Sequence, residues 1–478
     1  MSKWLWTAAV AAMALGLGAA AKPAPAVKPE LRPAACAIDV SGLSNKIDCY
    51  TLIVPEARGT ASRRMVAMPV AVIRAAHPKA GLPPVIYLHG GPGGGAVGGM
   101  ARRLTGVAGR ELIAQDQDWI YFDQRGGYLS VPSLDCGELA LTDAGPLSEG
   151  TAQALIACGQ RHRAAGVDLS RYNAVEIVKD VQDLRQLLGL KQVDLFGVSY
   201  GTRIALAVLA HDPRGIRAVV LDSPWPPEAD WAAGGPKLVS DAVAAIFVRC
   251  RADAACAAKY PTAEAGLNAL ALKLLAGPVT VGGHSYTAED LGNFLMDQTY
   301  SGQGARALPR DVARIVGGDY GPLDENITER SGYNEAQHLT HLCKEEFPFE
   351  KPADVLKGAE NDPISQLLGR SMLRYFEVCK AFPVGRPDPS EARPVVSGVP
   401  TLWLAAEIDP GCPPQFAQAA AKRFKNGQFV VIPNTTHGVS GGSACARKMI
   451  RAFLVDPSKP IDPGCLSPEH DRFVFTLE

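Results

Sequence analysis

The chain has 478 residues, with 48 Lys or Arg against 49 Asp or Glu, so its formal net charge is −1 at pH 7. It has no basic stripe or block of like charge, and we therefore expect no nucleic-acid partner. A chain of this length can bury a large core, either as one big domain with an insertion or as two domains.

Residues 1–21 have the pattern of an export signal. Lys3 supplies a positive start, the stretch from Trp4 to Leu17 is apolar, and Ala19-Ala20-Ala21 resembles a small-residue cleavage site. The apolar stretch is short and alanine-rich for a membrane span, and no later stretch is long and apolar enough to cross a bilayer. We expect an exported protein, periplasmic or secreted, with no integral membrane segment after signal cleavage.

Residues 22–35 are rich in proline and alanine and predict an extended leader. Apolar strands and one helix of periodic spacing follow it. The strands are predicted at 52–54, 65–73, 84–88, 119–122, 193–196 and 216–221, and the helix at 175–188.

A glycine-rich run, His89 to Gly95, follows the strand at 84–88. It has neither the G-x-x-x-x-G-K-[ST] nor the G-x-G-x-x-G spacing of a phosphate-binding loop. It fits an oxyanion loop, in which a backbone N–H near Gly91 would donate to a developing negative charge. Asp123 ends the next strand, and we predict that it holds this loop.

The run Gly197 to Gly201 (Gly-Val-Ser-Tyr-Gly) joins a strand to an alanine- and leucine-rich helix. In such a turn the central serine has strained backbone, and the flanking glycines let strand and helix approach closely. Ser199 is therefore the predicted nucleophile, with the N–H of Tyr200 as the second oxyanion donor. A chance match in a glycine-rich chain is the alternative, which the strand before and the helix after disfavour.

The pattern changes at Pro224 to Pro227. Residues 226–384 have mainly helical apolar spacing, and strand character returns at 401–405 and 429–432. The alternation of apolar strands with helices predicts an α/β fold with a mostly parallel sheet flanked by helices. We expect a core at 36–225, a helical cap at 226–384 inserted before the last strands, and the rest of the core at 385–478.

A nucleophilic serine needs a base, and His437 lies in a polar loop after a strand and before a helix. Of the other histidines after Ser199, one is too close on the nucleophile helix, three lie in the predicted cap and one in the tail. They are His211, then His284, His338 and His341, and finally His470.

For the acid that orients the base, Asp409 follows the strand one before the histidine loop. Asp222, after the strand at 216–221, is the competitor, and Glu407 is a weaker one. Asp409 is preferred because acid and base then come from neighbouring strand ends, in the chain order serine, acid, histidine.

These motifs carry a family resemblance. The runs His89 to Gly93, Asp123 to Gly126 and Gly197 to Gly201 resemble the proline-iminopeptidase-like serine peptidases of the α/β-hydrolase fold. The elbow sequence Ser-Tyr-Gly-Thr-Arg, the run Cys343 to Glu346 and the cysteine-bearing C-terminal segment are more similar to the tripeptidyl aminopeptidase branch. The resemblance implies that acidic residues of the cap hold the substrate's free amino terminus.

By that resemblance the amine-binding role falls on Glu345 and Glu346. A carboxylate in a closed cleft suits an α-ammonium, whose reference pKa is about 7.7–8.0. The alternative is that both glutamates are solvated charges at a helix end.

Eleven cysteines fit an exported chain, and sequence proximity suggests five disulfides. The predicted pairs are Cys36–Cys49, Cys136–Cys158, Cys250–Cys256, Cys343–Cys379 and Cys445–Cys465. Cys412 is left over, in a turn where a thiol departs from the family pattern. No C-x-x-C pair and no H-E-x-x-H is present, and we expect no metal and no cofactor.

The sequence thus predicts a serine exopeptidase acting on peptides near free N-termini. An esterase or amidase for small acyl substrates has the same triad, and a non-catalytic binding protein could keep the same fold. Oligomeric state has no signature in the sequence.

Overall fold

The computed structural model describes residues 27–137, 147–325, 334–467 and 473–478. The predicted export signal at 1–21 and His470 lie outside the described residues. No helix in these ranges combines the length and the hydropathy needed to cross a bilayer.

Nine strands form one sheet in the order β1-β2-β3-β5-β4-β6-β7-β10-β11, and β8 pairs with β9 in a separate hairpin. The first three strands pair antiparallel, as does β3 with β5, and every pairing from β5 to β11 is parallel. The strands are β1 (Glu30–Pro33), β2 (Ile47–Pro55), β3 (Met65–Ile73), β4 (Val85–Leu88), β5 (Trp119–Phe122), β6 (Val193–Val198), β7 (Ile216–Asp222), β8 (Val279–Val281), β9 (His284–Tyr286), β10 (Thr401–Ala406) and β11 (Gly427–Ile432).

Helices lie on both faces of the sheet and fill the segment between β7 and β10. They are α1 (Met100–Thr105), α2 (Val107–Glu111), α3 (Glu149–Ala164), α4 (Ala174–Leu187), α5 (Tyr200–His211), α6 (Trp231–Ala252), α7 (Ala254–Lys259), α8 (Ala263–Ala276), α9 (Ala288–Tyr300), α10 (Gly302–Val316), α11 (Gly321–Glu325), α12 (Glu335–Glu345), α13 (Pro363–Ala381), α14 (Pro414–Ala421), α15 (Val439–Gly442) and α16 (Ala444–Val455).

Both faces of the central sheet are covered, which explains why its strands are continuously apolar. In β4, Ile86 and Leu88 belong to the core shared with α4 and α5. Val85 and Tyr87, one residue out of phase, belong to the core shared with α1 and α16. The predicted mostly parallel sheet flanked by helices is confirmed.

The segment between β7 and β10 carries helices α6 to α13, with an apolar core of its own that includes Phe247, Leu267 and Leu291. It also contains the β8–β9 hairpin, which the apolar spacing of residues 226–384 does not predict. The predicted cap is therefore helical except for this hairpin.

The predicted leader at 22–35 needs a correction in its described part. Glu30–Pro33 is an edge strand, paired antiparallel with β2 from Glu30 opposite Ile53 to Pro33 opposite Tyr50. Proline is tolerated on an edge strand because the missing N–H can face away from the sheet. Proline content alone therefore led to the wrong assignment.

The structure joins the ten cysteines in the five pairs that sequence proximity suggests. Cys412 is buried and forms no disulfide.

Candidate active site

Ser199 lies between the last residue of β6 and the first residue of α5, in left-handed backbone with φ 57° and ψ −128°. This conformation is strained for a residue other than glycine. A side chain at Gly197 would lie 2.5 Å from the Gly201 carbonyl oxygen, and one at Gly201 would collide with the Leu88 carbonyl. The two glycines are therefore required for the close approach of strand and helix.

Asp409 and His437 lie in the loops after β10 and β11, where the sequence places them. His437 Nδ1 is 2.9 Å and 3.0 Å from the two carboxylate oxygens of Asp409. Asp409 Oδ1 also accepts backbone N–H bonds from Gly411 at 3.0 Å and Cys412 at 2.8 Å. Because Nδ1–H donates to the carboxylate, the other ring nitrogen is left as the base.

The pKa values of this pair shift in opposite directions. Burial alone lowers the pKa of His437, but the charge and hydrogen bond of Asp409 outweigh it, and the net pKa is raised. Burial alone raises the pKa of Asp409, but His437 and the two backbone N–H groups lower it overall. The pair thus favours an imidazolium beside an ionised carboxylate, which is the charge state of a base that has just taken a proton.

The competing acids have other partners. Asp222 accepts the backbone N–H groups of Val439 at 2.7 Å and Ser440 at 3.0 Å, so it holds the segment that follows His437. Glu407 forms an ion pair with Arg249 at 2.7 Å. No hydrogen bond joins either carboxylate to His437 among the contacts of the described residues.

The glycine-rich run lies against Ser199. A side chain at Gly90 would come within 2.7 Å of Ser199 Cβ, and Gly91 has φ 120°, a conformation that favours glycine. Tyr200 opens α5, so its backbone N–H has no partner within the helix. Gly91 and Ser199 both line the same cavity, and the oxyanion role of the Gly91 and Tyr200 N–H groups stays a prediction.

Core and cap both fix this loop. Asp123 Oδ1 accepts the Val97 N–H at 2.8 Å, so Asp123 holds the segment that directly follows the glycine-rich run. Gln124 Nε2 donates to the His89 carbonyl at 2.8 Å. From the cap, the Asn334 N–H donates to the Gly93 carbonyl at 2.8 Å, and the His338 ring contacts the Pro92 carbonyl through Nδ1 at 2.9 Å. The glycine-rich run of the core is therefore hydrogen-bonded to the first turn of α12 in the cap.

Ser199 and His437 open into a cavity of about 660 Å³ between core and cap. The cap wall is largely apolar and includes Trp231, Met372 and Tyr375. Tyr87, Trp119 and Phe196 line the core wall. A cavity of this size suits a small ligand or a short peptide.

Glu345 and Glu346 do not line this cavity, which corrects the expectation that they hold a substrate amine. Both are buried behind α5. Glu345 accepts the Tyr200 hydroxyl at 2.7 Å and the Ala174 N–H at 2.8 Å, and lies 3.3 Å from Arg203 Nε. Glu346 forms an ion pair with Arg203 Nη1.

Arg203 is the partner of these glutamates, which the motifs considered above do not predict. Arg203 is three residues after Tyr200, on the same side of α5, and is almost fully buried. A buried guanidinium needs carboxylates or carbonyls around it. The arginine of the elbow sequence was therefore the signal that could have assigned Glu345 and Glu346 to the interior.

Cys412 lies beside the triad. A carboxylate oxygen of Asp409, the sulfur of Cys412 and a ring nitrogen of His437 lie within 4.8 Å of one another. These three residues could therefore hold a metal ion. Burial and the Asp409, Asp222 and Glu346 carboxylates raise the pKa of the thiol well above its ordinary value, and the Ser199 side chain opposes this. The thiol is therefore protonated, and a metal would have to displace that proton.

Comparison with known proteins divides the chain between two family models. Residues 83–243, which include Ser199, match the alpha/beta hydrolase fold, and residues 365–465, which include Asp409 and His437, match the TAP-like proteins. Proline iminopeptidase of Heyndrickxia coagulans is 27% identical over 141 residues, 30% of this chain and 35% of that protein. Proline iminopeptidase of Lactobacillus delbrueckii subsp. lactis is 27% identical over 142 residues, 29% of this chain and 35% of that protein.

The matched stretch thus spans about a third of these curated relatives. Among solved structures, the proline iminopeptidase of Mycobacterium smegmatis aligns over 85% of this chain and 98% of its own, with 15% identity and a TM-score of 0.40. The parallel sheet, the elbow at Ser199 and the two family models together identify the chain as a protein of the α/β-hydrolase fold, with stretches similar to TAP-like proteins and proline iminopeptidases.

Proposed function

We propose that the protein is an exported serine exopeptidase that removes residues or short peptides from free N-termini, as a tripeptidyl- or prolyl-type aminopeptidase. The observation that carries the proposal is Ser199 on its strained elbow, at the edge of a capped cavity that His437 also lines, with Asp409 buried behind His437 as its hydrogen-bond partner. The similarity to TAP-like proteins and proline iminopeptidases supports the peptidase class.

In the proposed mechanism, His437 takes the proton of the Ser199 hydroxyl as Oγ attacks the scissile carbonyl carbon. Asp409 keeps Nδ1 protonated and stabilises the imidazolium that forms. The N–H groups of Gly91 and Tyr200 donate to the tetrahedral oxyanion. His437 then gives its proton to the leaving amine, and water activated by the same imidazole hydrolyses the acyl-enzyme.

Asp297 takes over the amine-binding role in this proposal. It lies on α9, is half-buried, and is the only acidic residue among the described residues that line the cavity. A carboxylate at the cavity wall can hold the substrate ammonium through a charge-assisted hydrogen bond. Glu345 and Glu346 cannot do this while Arg203 and Tyr200 occupy them.

The second candidate is an esterase or amidase for small acyl substrates. The largely apolar walls of the cavity favour it, because an uncharged acyl group needs no amine site. It would use the same Ser199, His437 and Asp409.

Aminoacyl, dipeptidyl and tripeptidyl p-nitroanilides, each free and N-acetylated, separate the two candidates, with p-nitrophenyl acetate as the neutral ester. We expect N-acetylation to lower kcat/KM on the anilides by a factor of about 100 or more, since it removes the substrate ammonium that Asp297 is proposed to bind. Asp297→Asn should cause a similar loss on the free amides and spare the ester. Equal rates on free and acetylated amides would favour the amidase or esterase, and no reaction of Ser199 with a fluorophosphonate would favour a binding protein.

Export is part of the proposal. Five disulfide pairs support it, because such bonds persist in oxidising compartments. Cell fractionation with N-terminal sequencing of the mature protein tests it, with cleavage near residue 21 as the expected result.

A further inference from the structure

Two arginines of the cavity have no role in the mechanism above. Arg102 and Arg103 lie on α1, the short helix that follows the glycine-rich run, and both line the cavity that contains Ser199. Arg102 is exposed and Arg103 is half-buried. They are the only Lys or Arg residues among the described residues of its lining.

Among the described residues these guanidinium groups have no directly paired carboxylate, although the charge of Arg103 acts on the buried Asp123 carboxylate and opposes the rise that burial causes in its pKa. Within the described ranges, neither arginine forms an ion pair with Asp or Glu, although most buried guanidinium groups of the chain do, as Arg125 and Arg203 illustrate. Arg103 has two aromatic partners. Its Nη2 contacts Nε2 of the His89 ring, and its Cζ lies 5.4 Å from the centroid of the Tyr87 ring. Neither partner is an anion.

His89 stays neutral beside these charges. Burial, together with the charges of Arg103 and Arg102, lowers the pKa of His89 to about 3, although its bond to the Gly90 carbonyl opposes this. Nδ1–H donates to the Gly90 carbonyl at 2.9 Å, so Nε2 is free to accept from Arg103. The histidine thus orients the Arg103 guanidinium without changing its charge.

The charges of the cavity are separated between its two walls. Asp297 belongs to α9 of the cap, and Arg102 and Arg103 belong to α1 of the core, with Ser199 on the core elbow. A short peptide with both ends free has the complementary charges, an ammonium at one end and a carboxylate at the other. A guanidinium pairs with a carboxylate through two parallel hydrogen bonds, which neither an amide nor an ester group can match.

We propose that Arg102 and Arg103 form a carboxylate-binding subsite for the free C-terminus of a short peptide. The inference rests on the proposed function and narrows it: the substrates are short peptides with both termini free, rather than the N-termini of long chains. An acidic side chain offers the same chemistry, and the experiment distinguishes that source.

Binding is measured by calorimetry on the full chain carrying Ser199→Ala, so that turnover does not enter. The probes are Ala-Ala-Ala, Ala-Ala-Ala-amide and Ala-Ala-Glu-amide. We expect the free acid to bind about tenfold or more tightly than either amide, since one charge-assisted bond is worth about that factor. Arg102→Gln should remove most of this preference while leaving the affinity for Ala-Ala-Ala-amide unchanged.

Arg103→Gln should act in the same direction and also loosen the His89 loop, so Arg102→Gln is the cleaner variant. Arg110→Gln is the matched control, because Arg110 is exposed on the neighbouring α2, donates to the Thr105 carbonyl and does not line this cavity. It should keep the full preference for the acid.

Equal binding of acid and amide would overturn the subsite, as would a preference that survives both Arg102→Gln and Arg103→Gln. Tight binding of Ala-Ala-Glu-amide would assign the arginines to an acidic side chain and overturn the C-terminal assignment. Failure of the proposed function has another signature, namely no cleavage of any free peptide anilide by the wild-type protein. The preference for the acid is read from binding alone and does not depend on that result.

Discussion

The two sides of α5 use charged groups in opposite ways. On the side of the cavity, His437 lines the same space as Ser199 and is paired with the buried Asp409, and the side chain of His437 stays partly accessible, at 14%. On the far side, Arg203 and Glu345 are almost fully buried. The carboxylate of Glu345 pairs with Arg203 and accepts the Tyr200 hydroxyl. Glu345 and Glu346 are therefore held by internal donors, whereas the partly accessible ring of His437 reaches the cavity.

The largest effect should come from the cavity side. Ser199→Ala is expected to lower kcat by a factor on the order of 10⁴ to 10⁶, because only the oxyanion donors and binding remain. The melting temperature should not fall, since the strained backbone is set by Gly197 and Gly201. Turnover of the best p-nitroanilide and fluorophosphonate labelling measure this, and near-normal activity would end the serine-hydrolase interpretation.

Substitutions of the two aspartates near His437 should have different effects, one on catalysis and the other on stability. Asp409→Asn is expected to lower kcat by about 10⁴, since the imidazole loses the partner that fixes its tautomer. Asp222→Asn should instead lower the free energy of unfolding by about 1–3 kcal/mol, because Asp222 accepts two backbone N–H bonds at the start of α15. Kinetics and thermal unfolding of both variants test this, and the reverse pattern would exchange their roles.

The far side should affect stability and leave specificity unchanged. Glu345→Gln and Glu346→Gln each disrupt a buried ion pair with Arg203, which typically costs about 3–5 kcal/mol. Losses on a free peptide anilide and on p-nitrophenyl acetate should therefore be equal. Glu377→Gln is the control, because Glu377 pairs with Lys380 on an exposed surface. A loss confined to the free peptide would return the glutamates to amine binding.

The raised pKa of His437 predicts the pH profile. The base must be neutral to accept the serine proton, so kcat/KM should fall as the pH decreases through that pKa, with a midpoint above 6.5. The negative charge of Asp222 also raises the pKa of His437, but by less than Asp409 does. Asp222→Asn should therefore move the midpoint of the pH profile down by less than about one unit. A midpoint at or below 6.5 in the wild type would show that Asp409 does not outweigh burial.

The sequence predicts the central strands well because they are buried on both faces, so they stand out as continuous apolar runs. It predicts the position of Asp409 because β10 is such a strand, and that of His437 because the half-buried edge strand β11 still carries a short apolar run. The β8–β9 hairpin was missed even though Gly282 and Gly283 separate its strands, a pair typical of a tight hairpin turn. Strands of three residues carry too few side chains to show alternation.

Arg203 indicates that buried carboxylates must lie near α5, but no local pattern tells which face of α12 supplies them. α12 is buried along its length, so apolar periodicity does not single out one side. Asp297 has the converse problem: it belongs to no motif, and only the packing of α9 brings it to the cavity. Charged residues of a cap are thus assigned by tertiary contacts.

The smallest effect is expected at Cys412, although it lies beside Asp409 and His437. The contact that matters is the backbone N–H of Cys412, which donates to Asp409 Oδ1 at 2.8 Å and is retained in any variant. The thiol is buried, and its raised pKa keeps it protonated and unreactive. Cys412→Ser should therefore change kcat/KM by no more than about threefold, a difference of under 1 kcal/mol.

Iodoacetamide should label Cys412 in the unfolded chain and leave it unlabelled in the native protein, as peptide mapping can measure. Labelling of the native protein with loss of activity would show an accessible thiol in the site. A hundredfold loss in Cys412→Ser would instead make the thiol a working part of the triad, and the cavity side of α5 would then hold a fourth functional group.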